Sequence, residues 1–589
     1  MLATADRDQP PHSPDSKHPD IGGLSTSATP AIPPSQQAQA SSNAGWLHRM
    51  QDCAWLVLRH ATKHTGVGII CAVAYFDPGN WGVDLQAGSE FGYKLLFVVL
   101  LSGIFAIVYQ TQASRLGCVT GMNLASHCRL LLHNRPKHKL LWRWLVLYPL
   151  YALSEIAIVS TDLAELLGSA IALCLLFPKL PLWAGVLITA SDVLLLLALR
   201  DPLRGKPVRL FELGIAILVL IVLICMAIII SKTQPDWGDA FDGFLPSKTL
   251  FQSGALYTSI GIIGATVMPH SLFLGSALAT QDRMSVKPEV SKADALTTMD
   301  SDMSADSETT ISDLSTRRKG GRFLQTIADA VSRTFRVVQI SELPNEPKSH
   351  AEHENNPYYF VRAHVYHGIV DMVISLLGIA VVINAMILIL SAAVFYHGGS
   401  GSQNPASLFD AYALLQEMLG KPVAVLFALA LLASGQSSSI IATLAGQIVS
   451  EGFIRWRVSP IMRRFLTRCL GLIPALIVAA ASGRAGIDTL LVASQAVLSI
   501  VLPFIVFPLI WFTSSKSIMS VKKPLERVYS QDSSVGDAGA ADAVSAEAQF
   551  EMVDFSNGKV LIVFSYAIWL VIVMANVYAI VGLATGQGG

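Results

Sequence analysis

The feature that most constrains this chain is a series of eleven apolar stretches. They lie near residues 66–87, 93–113, 144–173, 178–199, 210–231, 251–280, 364–396, 421–452, 464–482, 487–513 and 558–584. Each has roughly the 20 apolar residues that an α-helix needs to cross the hydrocarbon core of a bilayer. With 52% hydrophobic and 14% charged residues, the chain is excluded from the ordinary soluble enzymes. The expectation is an all-α integral membrane protein with about eleven spans, whose main partner is the lipid bilayer. Lys and Arg (42) balance Asp and Glu (42), so no basic surface for nucleic acid is implied. The seven cysteines form no CxxC pair and read as core residues. The segment near 405–419 is short and amphipathic, which suits a surface helix better than a span.

Loop charges set the orientation. With the N-terminus cytoplasmic, the cytoplasmic loops hold Arg115, Arg129, Arg135, Lys137, Lys139 and Arg143, then Arg200, Arg204, Lys206 and Arg209. Arg455, Arg457, Arg463 and Arg464 follow, and then Lys516, Lys522, Lys523 and Arg527, while the opposite loops are nearly free of Lys and Arg. The organisation expected is a disordered cytoplasmic tail (1–60), spans one to six (61–280), a disordered cytoplasmic loop (281–362), spans seven to ten (363–513), a second cytoplasmic loop (514–557), and span eleven with the C-terminus (558–589). Low aromatic and high polar content underlies both disorder assignments. The 281–362 loop is open to regulatory partners, and within it "RFLQTIADAVSRTFRVV" reads as an amphipathic surface helix or a plainly solvated one.

Two spans carry their own interruption. "AYFDPGNW" (74–81) places Pro78 in span one, and "GIIGATVMPHSLF" places Pro269 in span six. Proline has no N–H for the carbonyl four residues back and pushes its predecessor out of helical dihedrals. The carbonyls of Ala74 and Ala265 should therefore be freed, the first beside Asp77 and Asn80, the second beside Met268 and His270. A single membrane proline is commonly a plain kink, and a single methionine commonly core. Interrupted spans at matching positions of two halves instead mark a transporter site, and an intramembrane acid such as Asp77 is costly to keep. One carboxylate, one amide oxygen, free carbonyls and a thioether form a donor set suited to a divalent transition metal. A thioether adds little for Mg²⁺ or Ca²⁺.

These two signatures, "DPGN" and "MPH", resemble those of the Nramp family of proton-coupled divalent metal transporters. "LGCVTGMNLA", "STDLAELLG" and "GQSSSIIATLAGQIVSEG" (435–452) also match, and the likeness covers most of residues 60–515. "MPHSLFLGS" and the long loop after span six resemble the fungal manganese and iron transporter branch. The resemblance implies a LeuT-like fold of two inverted five-helix repeats with broken helices 1 and 6. It implies metal ligands at Asp77, Asn80, Met268 and the carbonyls of Ala74 and Ala265. Gln495 of span ten resembles a further ligand used in one conformation, unless it serves as an interhelical hydrogen-bond donor.

Glu155, Asp162 and Glu165 of span three are spaced by seven and three residues and so share one helix face. Three such acids need protons or counter-charges, and Arg468 is the natural partner, with Arg464 nearer the cytoplasmic boundary. In the family this face is a proton route, with His270 close to the metal, although His270 also fits a hydrogen-bonded role at the helix break. Many bacterial members have a second histidine where this chain has Gly275. The expected function is H⁺-coupled import of Mn²⁺, and of Fe²⁺ and related metals. The chain should not be an enzyme and should have no cofactor, since the metal is cargo and no ATP-binding P-loop is present. The rivals are an organic-solute transporter of the same fold, a metal-sensing receptor on a transporter body, and a Mg²⁺-selective member, which would be expected to lack Met268. Plasma, endosomal and vacuolar membranes all fit this topology.

Overall fold

The computed structural model describes residues 66–199, 209–252, 254–282, 347–398, 407–455, 460–524 and 550–584. The expectations for the N-terminal tail and for the helix over 322–338 lie outside these residues. Every expected span has a helical counterpart. Among the described residues eight helical runs are long and apolar enough to cross a membrane, and the first of them, Pro78–Thr120, carries the second half of span one together with span two. Two shorter apolar stretches, Leu182–Ser191 and Phe465–Ala481, fall on spans four and nine. The segment near 405–419 is a helix, Leu408–Leu419, opened by a capping box in which Ser407 and Asp410 each bond the other's backbone N–H.

Both proline breaks are present. Span one is a pair of half-helices, Val67–Val73 and Pro78–Phe91, and span six is Ala255–Thr266 followed by Pro269–Leu278. The first half-helix begins on a buried carboxylate of span seven, with Gly68 N donating to Asp371 Oδ2 at 2.7 Å. That bond satisfies one of the N–H groups a helix start leaves open. Span eleven closes a different proline gap. Pro503 in span ten (Gly483–Ser514) cannot serve the Ser499 carbonyl, and Asn576 Nδ2 of span eleven (Lys559–Ala584) donates to it at 2.8 Å.

Two polar regions are more ordered than their composition suggests. The loop expected over 514–557 contains an antiparallel ribbon, β1 (Ser520–Pro524) with β2 (Phe550–Asp554), in which Val521 pairs Val553. Its strands are five residues each and separated by a long insertion, so no adjacent turn signal marks them. The loop expected over 281–362 also ends early. Span seven starts at Tyr358, and residues 347–357 are bonded to the end of span two. Asn356 Nδ2 donates to the Cys118 carbonyl (2.8 Å), Asn356 N to Val119 O (3.0 Å), and Asn355 Nδ2 to the Ile518 and Ser520 carbonyls (2.7 and 2.8 Å).

A histidine cluster completes this docking. His127 Nδ1 lies 3.0 Å from His350 Nε2 with the rings stacked, His127 Nε2 lies 2.8 Å from Thr120 Oγ1, and His353 Nε2 bonds the Thr120 carbonyl at 2.7 Å. Burial holds His127 well below the ordinary histidine range, and His350 and His353 beside it push the same way. Burial, with His353 adding to it, lowers His350 to about 4. A free histidine takes its proton near pH 6.5, whereas the docked pair resists it. Docking is therefore fully stable above about pH 6.5 and weakens as the pH falls towards about 4. Amide hydrogen exchange of residues 348–356, corrected for intrinsic rates, should show protection falling between pH 7 and pH 5. His350→Ala should flatten that dependence, and constant protection in the unmutated chain would contradict the assignment.

Candidate metal-binding site

The chain between the half-helices of span one shows how each freed carbonyl is used. The Cys71, Ala72 and Val73 carbonyls accept from Ala74, Tyr75 and Phe76 N, and the Asp77 carbonyl accepts from Trp81 N. The Tyr75 carbonyl takes Asn384 Nδ2 of span seven at 2.7 Å, and the Phe76 carbonyl takes Ser434 Oγ of span eight at 2.5 Å. Only the Ala74 carbonyl, whose helical donor would be Pro78, has no donor among the described residues, and Ala74 is fully buried. In span six the Ala265 carbonyl faces the same situation, because residue 269 is proline. Val67–Val73 and Ala255–Thr266 both end at the breaks, and helix C-termini carry partial negative charge that favours a cation.

The side chains repeat this pattern. Asp77 is the N-cap of Pro78–Phe91, with Oδ1 accepting from Asn80 N at 2.9 Å. Its Oδ2, both amide atoms of Asn80 and Gln495 Oε1 are buried with no hydrogen-bond partner. Buried polar atoms are almost always paired, so several orphaned oxygens at one helix break call for a cation. Met268 is the N-cap of Pro269–Leu278 and is wholly buried. Among the described residues no three His, Cys, Asp or Glu gather as a metal cage. The groups available at the breaks are one carboxylate, amide and backbone oxygens, and a thioether, a set that could hold a divalent cation without a cage of charged ligands.

Two contacts bring the breaks together. Ser271 Oγ of span six donates to Tyr75 OH of span one at 2.7 Å. Gln495 of span ten lies between them. A Cβ on Gly79 would fall 1.8 Å from Gln495 Nε2, and one on Gly264 would fall 2.5 Å from the Gln495 carbonyl. Glycine at both positions is what admits Gln495. Gly275 has a similar basis, since a Cβ there would meet Gln110 Nε2 at 1.8 Å. Gln110 bonds Tyr75, Cys71 and the Ser271 carbonyl, and it fills the space beside residue 275.

The acidic face of span three lies behind this site. Asp162 and Arg468, both buried, form an ion pair. Glu165 is fully buried and neither oxygen reaches hydrogen-bond geometry; the neighbouring Ser438 hydroxyl donates to the Ser434 and Gly435 carbonyls. His270 Nδ1 is 3.4 Å from Thr161 Oγ1, one residue from Asp162, and His270 Nε2 is unpartnered. Glu155 is only half-buried and lies about 10 Å along the helix from Asp162. The Arg464 side chain lies outside the described residues.

Sequence reasoning missed Asn384 and Ser434, the two clamps that leave Ala74 as the free carbonyl. It also missed Asp84, a buried acid two turns after Asp77 with Oδ2 unpartnered. The intramembrane-acid rule that singled out Asp77 applies equally to Asp84.

Gly79→Ala should displace Gln495 without unfolding the protein, because the clash is with the far end of a flexible side chain. Calorimetric affinity for a divalent transition-metal ion should drop about tenfold, or about 1.4 kcal/mol, as it should in Gln495→Ala. The double variant should be no weaker than either single one. Fully additive losses would show that Gly79 acts by another route.

The family model for natural resistance-associated macrophage protein-like proteins matches residues 68–307 and 348–526. The manganese transporter pdt1 of Schizosaccharomyces pombe is 39% identical over 90% of this chain and 87% of its own length. The iron transporter SMF3 of Saccharomyces cerevisiae is 35% identical over 90% of this chain and 98% of its own. A solved structure of a variant of the Eremococcus coleocola manganese transporter superposes with TM-score 0.62 at 28% identity, covering 88% of this chain and 86% of that one. With its two broken spans and these matches, the chain is a multi-pass integral membrane protein of the Nramp family.

Proposed function

We propose that the protein is a secondary active transporter carrying Mn²⁺, and also Fe²⁺ and related divalent transition metals, into the cytoplasm together with H⁺. The observation that carries the metal reading is the selective capping at the first break, where neighbouring carbonyls are clamped and the Ala74 carbonyl is left beside unpaired oxygens of Asp77 and Asn80. The names of the relatives, manganese and iron transporters, support the choice of cargo. Asp77, Asn80, Met268, Gln495 and the carbonyls of Ala74 and Ala265 are the ligands in this reading. His270, Asp162, Glu165 and Arg468 form the proton path, with Glu155 and Arg464 nearer its ends. The N-terminus is cytoplasmic, the membrane is the plasma or an endosomal or vacuolar one, and the loop between spans six and seven, which ends before the docked residues 347–357, takes regulatory partners.

Three features of this arrangement serve transport. A dehydrating M²⁺ exchanges water for the Asp77 carboxylate and the neutral oxygens, and its charge offsets the cost of a buried anion. Met268 adds a polarisable sulfur that discriminates against hard ions. The acids behind the site give the proton its own route, so cargo and proton do not compete for Asp77 alone.

The test is uptake by proteoliposomes under an imposed pH gradient. Asp77→Asn removes the formal negative charge and should abolish Mn²⁺ uptake in folded protein, whereas wild-type uptake would refute the assignment. Met268→Ala should lower Cd²⁺ uptake most and Mn²⁺ less, and should let Ca²⁺ compete about tenfold better. An unchanged Cd²⁺-to-Ca²⁺ ratio would reduce Met268 to core packing.

A further inference from the structure

A large groove lies away from the metal site. It measures about 920 Å³ and runs between span three, span ten, span eleven and the helix Leu124–His133 that follows span two. Its wall is almost entirely apolar, with Trp511, Phe504, Phe507 and Trp569 along one side and Leu150 and Leu153 along the other. Phe504, Phe507 and Trp511 are each more than a third exposed, so the groove is open along the side of the helix bundle.

Three features point to one occupant. The first is length. Along span ten the groove runs from Ile500 to Phe512, and twelve residues of helix span about 18 Å. That is close to half of a roughly 30 Å hydrocarbon core, the depth of one leaflet. The second is the charge at one end. Arg135 lines the groove beside Trp142, its guanidinium 4.9 Å from the indole centroid. Its Nε is spent on the Leu131 carbonyl, and its terminal nitrogens carry no hydrogen bond among the described residues. A guanidinium held in this way presents the fork that suits a phosphate. The third is the adjoining surface. Lys137 and Lys139 are exposed, followed by exposed Leu140, Leu141, Trp144 and Leu145. Basic residues, leucines and tryptophans in such order belong at the headgroup boundary.

We propose that this groove binds one anionic phospholipid, with its net-negative headgroup on Arg135 and an acyl chain lying along span ten. Basic pockets between spans on the cytoplasmic side suit acidic headgroups, each basic residue contributing about fivefold in affinity. This places a lipid against span ten, the helix that also carries Gln495, and so couples the bilayer to that helix at a distance from the site. The site stands whether or not the cargo assignment holds, because it uses none of the metal-site residues.

The experiment is native mass spectrometry of the full chain in detergent, titrated with equal amounts of dioleoylphosphatidylserine and dioleoylphosphatidylcholine. One phosphatidylserine should be retained at collision energies that strip phosphatidylcholine. Arg135→Gln should cut that preference about fivefold, and Leu153→Trp, which fills the groove, should remove retention of both lipids. The melting temperature of each variant in detergent shows that it is folded. Equal retention of the two lipids by the unmutated chain would overturn the proposal, as would an undiminished preference in folded Arg135→Gln. New phosphatidylserine binding appearing only on deletion of 290–340 would also overturn it, by showing that the chain's own loop fills the groove.

Discussion

Everything in this structure follows from one rule of the bilayer: a backbone carbonyl in hydrocarbon must find a donor, or else something that takes its place. Prolines test that rule wherever they interrupt a span. At Pro503 the protein answers with its own chemistry, since Asn576 reaches from span eleven to the Ser499 carbonyl. At Pro78 it answers for Tyr75 with Asn384 and for Phe76 with Ser434, and then stops. The Ala74 carbonyl is left without a donor among the described residues, in the same break as a carboxylate oxygen and an amide that are also unpaired. Capping is therefore selective, and its selectivity defines the site.

The buried charge on span three is part of the same design. Asp162 and Arg468 are each almost fully buried and are paired. Removing either partner would leave a lone charge at a cost of roughly 3–5 kcal/mol, so the pair holds spans three and nine in a fixed relation. Glu165, one turn further on, is fully buried, and neither of its carboxylate oxygens has a hydrogen-bond partner among the described residues. Thr161 ties this face to His270, which follows Met268 and Pro269 in the second break. Met268 and His270 thus share one short stretch of span six, which is the basis of the proposed link between metal and proton movement.

Much of this was legible in the sequence because prolines and buried acids act locally. Pro78 and Pro269 specify which carbonyls lose their donors, and the spacing of Asp162 and Glu165 specifies a shared face. Arg468 could be named as the counter-charge because it is a cation near an otherwise apolar run. The clamps could not be read in this way. Asn384 and Ser434 lie 309 and 358 residues from the carbonyls they hold, and such pairings leave no local pattern. Gln495 emerged only through family resemblance; its contact with Gly79 depends on how span ten packs. The docked segment at 347–357 was hidden for a related reason. Its composition is that of a loop, and it is ordered by amides and imidazoles that reach the end of span two.

The central claim is that the two breaks together form a cation site whose ligands include the Ala74 carbonyl and the Met268 sulfur. Anomalous X-ray diffraction at the manganese edge, from crystals soaked in Mn²⁺, tests it most directly. The account predicts an anomalous peak between the breaks, with Asp77, Asn80, the Ala74 carbonyl and Met268 in its coordination sphere. A peak confined to the acids of span three, or a Mn²⁺ at Asp77 with the Met268 sulfur and the Ala74 carbonyl turned away, would contradict it.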